Sequence, residues 1–191
     1  MKVLYIGYYK EPSEWGRVTR NNILALDSAD VDVVCRSISL TGNMTPEDIY
    51  KLEQKDESDC DVCIQHVFPE HLLGSDKFKK NIAIMSNEFL EMEHSDWVER
   101  LDMMDEIWLP SEFALSCVPK QIAHKCKFVP VCFDTEVYKT AHPLINVPDV
   151  DDKFKFYTCV DNASGLEHLV KAFHTEFTTE EEAFLLIQVN G

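Results

Sequence analysis

Short apolar runs alternate along this chain with stretches whose apolar residues fall on a helical stripe, and that alternation leaves few architectures open. Val3-Leu4-Tyr5-Ile6 is a continuous apolar run ending at Gly7, the pattern of a strand buried on both faces. From Arg17 onward Val18, Ile23, Leu24 and Leu26 share a helical stripe, and Val31-Asp32-Val33-Val34-Cys35 reads as the next strand. The same rhythm predicts a helix over 46–54, strands over 60–66 and 81–85, a helix from about 95 to 103, a strand over 106–109, a helix N-capped by Ser111, and a strand over 126–131. Strands alternating with helices build a parallel sheet covered on both faces, so the expected class is a doubly wound α/β fold.

The rhythm lapses between Val137 and Asp152, where two prolines and three aspartates mark a linker. Beyond it, 154–158 and 183–189 read as strands around a helix over 165–177 that carries Leu166, Leu169, Val170 and Phe173 on one face. The expected division is therefore a main domain over 1–150 and an incomplete β-α-β segment over 151–191.

Composition narrows what such a fold does. With 45% hydrophobic and 27% charged residues the chain has the makings of a packed core and not of a disordered segment. No run approaches the roughly 18 apolar residues a membrane helix needs, and the N-terminus is too short and strand-like for a signal peptide, so a cytoplasmic location is expected. The odd count of seven cysteines, mostly in apolar stretches, suits reduced packing residues better than a disulfide framework. A net charge of −16 argues against a nucleic-acid backbone or an anionic membrane as the main partner. Residues 1–42 are an exception to that acidity: Lys2, Lys10, Arg17, Arg20 and Arg36 balance Glu11, Glu14, Asp27, Asp30 and Asp32. This first βα unit is the least repulsive place for an anionic ligand.

Four stretches taken together carry a family resemblance. They are Trp15-Gly16-Arg17, the segment Asp105-Glu106-Ile107-Trp108-Leu109-Pro110-Ser111-Glu112-Phe113, the run Val129-Pro130-Val131-Cys132-Phe133-Asp134, and the βα pattern beginning at Phe154. In that order they resemble the two-domain GT-B glycosyltransferases, of the retaining, group 1-like kind, with the Asp105 to Phe113 stretch as the most specific part. The resemblance implies a Rossmann-like acceptor-side domain followed by the start of a donor-side one. It also implies a nucleotide-sugar as co-substrate with no bound cofactor, and a carbohydrate or other hydroxyl compound as acceptor.

Candidate residues follow from where such folds bind ligands, beyond the carboxyl ends of the strands. Gly16, with Arg17 and Arg20 beside it, either admits donor phosphates to a helix N-terminus or simply turns the chain. His66, ending the third strand, and Glu88, just past the fourth, are the candidate catalytic groups, since an acceptor hydroxyl needs a group to share its proton. For His66 the alternative is a core or capping histidine, and for Glu88 a surface-loop acid. Cys60 and Cys63 stand three apart in the expected strand and should point to opposite faces, so no metal site is assigned.

The chain departs from the family's pattern at Val160-Asp161-Asn162-Ala163-Ser164-Gly165-Leu166, where the resemblance implies basic residues for the donor diphosphate and none stands before Lys171. Two function classes stay open. One is a glycosyltransferase, or its acceptor-side part working with a separate donor half. The other is a catalytically silent module that binds a partner or self-associates.

Overall fold

The computed structural model describes all residues except 39–41, 86–95, 140, 142–146, 148–151, 161–164 and 190–191. The chain divides into a unit over Met1–Lys139 and a second over Thr140–Gly191.

The first unit is built on six parallel strands: β1 Lys2–Gly7, β2 Asp32–Ser37, β3 Val62–His66, β4 Lys80–Ile84, β5 Glu106–Leu109 and β6 Cys126–Phe128. Their order, β2-β1-β3-β4-β5-β6, is that of a Rossmann-like doubly wound sheet. Chain direction across the sheet reverses at β1, which pairs with β2 on one side (Val3 to Val33) and β3 on the other (Val3 to Val62). Strand pleating sends alternate residues to opposite faces. Tyr5, Val33 and Ile64 pack with Ile23 of helix α1 (Glu14–Ser28) and with Ile49 and Leu52 of α2 (Glu47–Glu53). On the other face, Ala83, Ile107 and Leu109 pack with Val98 and Leu101 of α3 (Trp97–Asp102), Ala114 of α4 (Glu112–Ser116), and Leu72 after a 3-10 turn at Pro69–His71. A short helix α5, Thr135–Lys139, ends this unit.

The second unit is one β-α-β turn: β7 Phe154–Val160, α6 Leu166–Glu176 and β8 Ala183–Val189, the two strands parallel with Phe154 opposite Ala183. Its core is aromatic. Phe173 of α6 lies 5.8 Å from Phe156 of β7 and 5.0 Å from Phe177, ring centre to ring centre. None of its described residues is fully buried, which is what two strands and one helix can achieve. No described helix is long and apolar enough to cross a membrane.

Two details differ from the sequence reading. Helix α1 begins before Arg17, because Ser13 caps it: the Ser13 hydroxyl accepts from the Gly16 amide, 3.2 Å away. Gly16 therefore sits in the first turn of the helix and not in a loop. The second difference concerns Cys60 and Cys63. β3 starts at Val62, so Cys60 lies outside the pleat and the opposite-face argument does not apply to it; both thiols pack in one small cluster with Leu4 and Val34. Burial raises the Cys63 thiol to about 12, so neither location nor ionisation favours a reactive pair. Cys159, in contrast, is an exposed thiol on β7 and not a packing residue.

Gly16 is glycine for a steric reason. The loop from Tyr8 to Ser13 folds back over the first turn of α1, and a β-carbon on Gly16 would lie 2.1 Å from the Glu11 carbonyl oxygen and 3.0 Å from that of Tyr8. In an open helix, Gly to Ala gains roughly 1 kcal/mol. Here a backbone clash reverses the sign, and Gly16→Ala is expected to cost at least about 2 kcal/mol. Thermal unfolding followed by tryptophan fluorescence checks this, because Trp15, Trp97 and Trp108 all lie in the first unit.

Candidate functional site

The carboxyl ends of β1 and β3 meet at the point where the sheet's winding direction changes, with Gly7 beside His66 in register. At such a point the connecting loops diverge and leave a crevice. His66 closes β3 there and is 2% exposed. Its Nδ1 lies 3.1 Å from the Tyr5 hydroxyl and 3.2 Å from that of Thr19 on α1. The Thr19 hydroxyl donates to the Trp15 carbonyl at 2.8 Å, so its one hydrogen is committed.

The Tyr5 hydrogen is assigned by following the network outward. The Cys132 amide donates to Asn22 Oδ1 at 3.3 Å, which turns the Asn22 amide group toward Tyr5, 3.5 Å away. Tyr5 then accepts from Asn22 and donates to His66 Nδ1. A buried hydroxyl hydrogen left without an acceptor would cost about 1–3 kcal/mol, and this assignment avoids that. On this assignment the imidazole proton is on Nε2, which no described residue bonds, and the Thr19 oxygen touches Nδ1 without a hydrogen between them. Burial holds His66 down at about 4, so at neutral pH the ring is an uncharged donor. Burial likewise pushes the Tyr5 phenol well above its ordinary value.

An aromatic group surrounds this point. Trp15 packs 5.0 Å from His66 and stacks on Phe68 at 5.3 Å, while Tyr8 lies 5.6 Å from Phe68. Among the described residues Trp15 Nε1 is buried without a hydrogen-bond partner.

His66 and Trp15 stand at one end of a cavity of about 590 Å³. Its floor is the α1-side face of the sheet, Tyr5, Ile84 and Trp108. One wall is the flank of α1 carrying Val18, Asn22, Ala25 and Leu26, and the other is the segment from Val129 to Cys132. Trp108 is held in place from below: its Nε1 donates to Glu106 at 3.0 Å, and Glu106 also takes Lys80 and Lys127 at 2.5 Å each. Burial opposes ionisation of Glu106, but the two ammonium groups and the indole N–H outweigh it and bring the carboxyl down to about 2.

The other sequence candidates fall as follows. Gly16 lies beside the crevice, but the space next to its α-carbon is filled by the chain's own carbonyls. Arg17 is paired with Glu14, and Arg20 with Asp48 of α2 at 2.6 Å, both on exposed surface. Neither arginine lines the cavity. Glu88 lies outside the described residues. Among the described residues no group of three or more His, Cys, Asp or Glu is placed to hold a metal ion. Tyr5, Thr19, Asn22, Trp15 and the rim acid Glu14 escaped the sequence reading. The Ser13-Glu14 pair, a cap followed by a first-turn acid, is the signal that would have moved the helix start and brought Trp15 and Glu14 to the site. No protein-family model matches the chain, and no curated protein matches it in sequence.

The buried, neutral histidine makes a pH prediction. Below 6.5, its ordinary value, the unfolded chain takes up a proton on this residue that the folded chain refuses until about 4. The unfolded state thus binds more protons, and stability falls with pH by up to about 1.4 kcal/mol per unit. Glu106 contributes in the same sense at lower pH, its stabilisation being lost as pH falls from its ordinary 4.5 to about 2. Urea unfolding between pH 6.5 and 4.5, followed by tryptophan fluorescence, should show this slope, and His66→Gln should flatten it.

Proposed function

We propose that the first unit is the acceptor-binding part of a GT-B-like glycosyltransferase, with the acceptor in the cavity and its reacting hydroxyl at His66. The observation that supports this reading most is the coincidence of three features at one place. The sheet's winding reversal, a cavity of small-molecule size, and a buried neutral imidazole whose Nε2 no described residue bonds meet at the ends of β1 and β3.

In glycosyl transfer, the bond from the anomeric carbon to the diphosphate oxygen breaks. A bond from that carbon to the acceptor oxygen forms, and the hydroxyl proton passes to the departing diphosphate oxygen. A histidine held at about 4 is a poor base at neutral pH. Its role in this reading is to donate Nε2–H to the acceptor oxygen and fix that oxygen's position, which is worth having because transfer depends on alignment. Glu14 is the one carboxylate among the described residues lining the cavity, and it stands at the exposed rim.

A second reading, a binding module without transfer, draws on the electrostatics. Arg17 and Arg20 are engaged by Glu14 and Asp48, and among the described residues no lysine or arginine lines the cavity to stabilise a diphosphate leaving group.

Incubating the chain with UDP-, GDP-, ADP- and CMP-sugars and a set of simple alcohols, with product read by mass spectrometry, separates the two. The transferase reading expects a protein-dependent glycoside whose rate falls at least tenfold in His66→Ala. Absence of product with every donor would leave the binding module.

A further inference from the structure

We propose that the cavity takes a neutral, largely apolar small molecule bearing one hydroxyl or carbonyl oxygen, which His66 holds, and that it does not take a saccharide or a phosphorylated ligand. The inference deepens the acceptor-site reading and rests on it only for any reaction that follows binding.

Its size comes first. A cavity of about 590 Å³ falls in the range, roughly 300–1,000 Å³, of sites that hold drug-sized ligands. Its walls come next. Val18, Leu26, Ile84, Met85, Trp108 and Val131 make its described lining largely apolar. The polar groups among them are largely used up. The Tyr5 hydroxyl bonds His66 and Asn22, the Asn22 amide also takes the Cys132 N–H, and Trp108 Nε1 is turned to Glu106. A hexose would bring several hydroxyls into this space, and each left without a partner costs about 1–3 kcal/mol. A phosphate would find no described cation in the lining, and the first-turn amides of Gly16 and Arg17 already bond Ser13. What is left is His66 Nε2, on a side chain 2% exposed, with the unpaired Trp15 Nε1 beside it and the Glu14 carboxylate at the rim. One oxygen on an otherwise apolar molecule pairs with His66 and brings no further polar group into the apolar part of the cavity.

The test uses 2-naphthol, naphthalene, glucose and UDP as probes, titrated calorimetrically into the intact chain. 2-Naphthol should bind about fivefold or more tightly than naphthalene, the difference that one hydrogen bond makes, while glucose and UDP show no heat at millimolar concentration. In His66→Ala that preference should fall to near one, and Val18→Trp, which fills the cavity from the α1 side, should abolish binding of both aromatics. Circular dichroism establishes that each variant is folded. If His66→Ala is not, the 2-naphthol preference in the parent chain and its loss in Val18→Trp decide the matter.

Equal affinity for the two aromatics, retention of binding in folded Val18→Trp, or binding of glucose or UDP instead would overturn the proposal. So would 2-naphthol affinity that falls as protein concentration rises, since a second copy would then be covering the apolar face. The two readings fail separately. 2-Naphthol binding with no transfer from any sugar nucleotide leaves the cavity assignment standing and removes the transferase. Transfer onto a saccharide with no 2-naphthol binding does the reverse.

Discussion

Helix α1 sits on β1 at a distance that only glycine permits, and the site depends on that seat. At the carboxyl end of β1, a β-carbon on Gly7 would fall 2.6 Å from Thr19 Cγ2; in the first turn of α1, one on Gly16 would strike the Glu11 carbonyl. The two glycines let strand, loop and helix close to van der Waals contact in one place. Thr19 then reaches His66 across the βα connection, and Asn22, nearly one turn further along the same helix, reaches Tyr5. Moving α1 outward by the width of a methyl group would break the contacts that orient the imidazole, and would open the flank of the cavity that Val18 and Leu26 form.

The sheet was legible because it rests on local pattern. The strand over 183–189 is found as read, and the expected strands and helices occur in order, with the short helix α5, Thr135–Lys139, added where the linker was expected to begin. Boundaries failed where a local signal was outranked by a more conspicuous one. Gly16 reads as a loop residue when glycine is taken as a breaker, and only the preceding Ser13-Glu14 shows that the helix has already begun. Cys60 reads as part of β3 because it is apolar, although Asp59 before it adopts a positive φ of 61° and turns the chain into the strand. The network around His66 could not be read in the same way. Its partners Tyr5 and Thr19 lie 61 and 47 residues away in sequence, and the Cys132 amide is 110 residues from Asn22. Only the position of His66 at a strand end pointed to it.

Charge shows why the donor-phosphate role assigned to Arg17 and Arg20 finds little support in the geometry. A balanced count over residues 1–42 says nothing about where each charge points. On this acidic chain each arginine found a carboxylate close by, Glu14 within the same helix and Asp48 on α2. Such exposed pairs are worth little in stability, so the arginines are not held there strongly. Their side chains are exposed, and neither lines the cavity.

Lys80, Glu106 and Lys127 work differently. They lie across three adjacent strands, and Glu106 is 12% exposed, so the carboxylate is shielded from water and bonded by three donors at once. One of those donors is the Trp108 indole. The charged row thus fixes an apolar wall next to it, and the polar atom of that wall is turned away from the cavity. The Tyr5–Asn22 contact has the same consequence on the opposite side. Both networks hold polar groups within the protein, leaving a concave surface whose described lining is hydrocarbon and aromatic faces, with His66 among them and Glu14 at the rim.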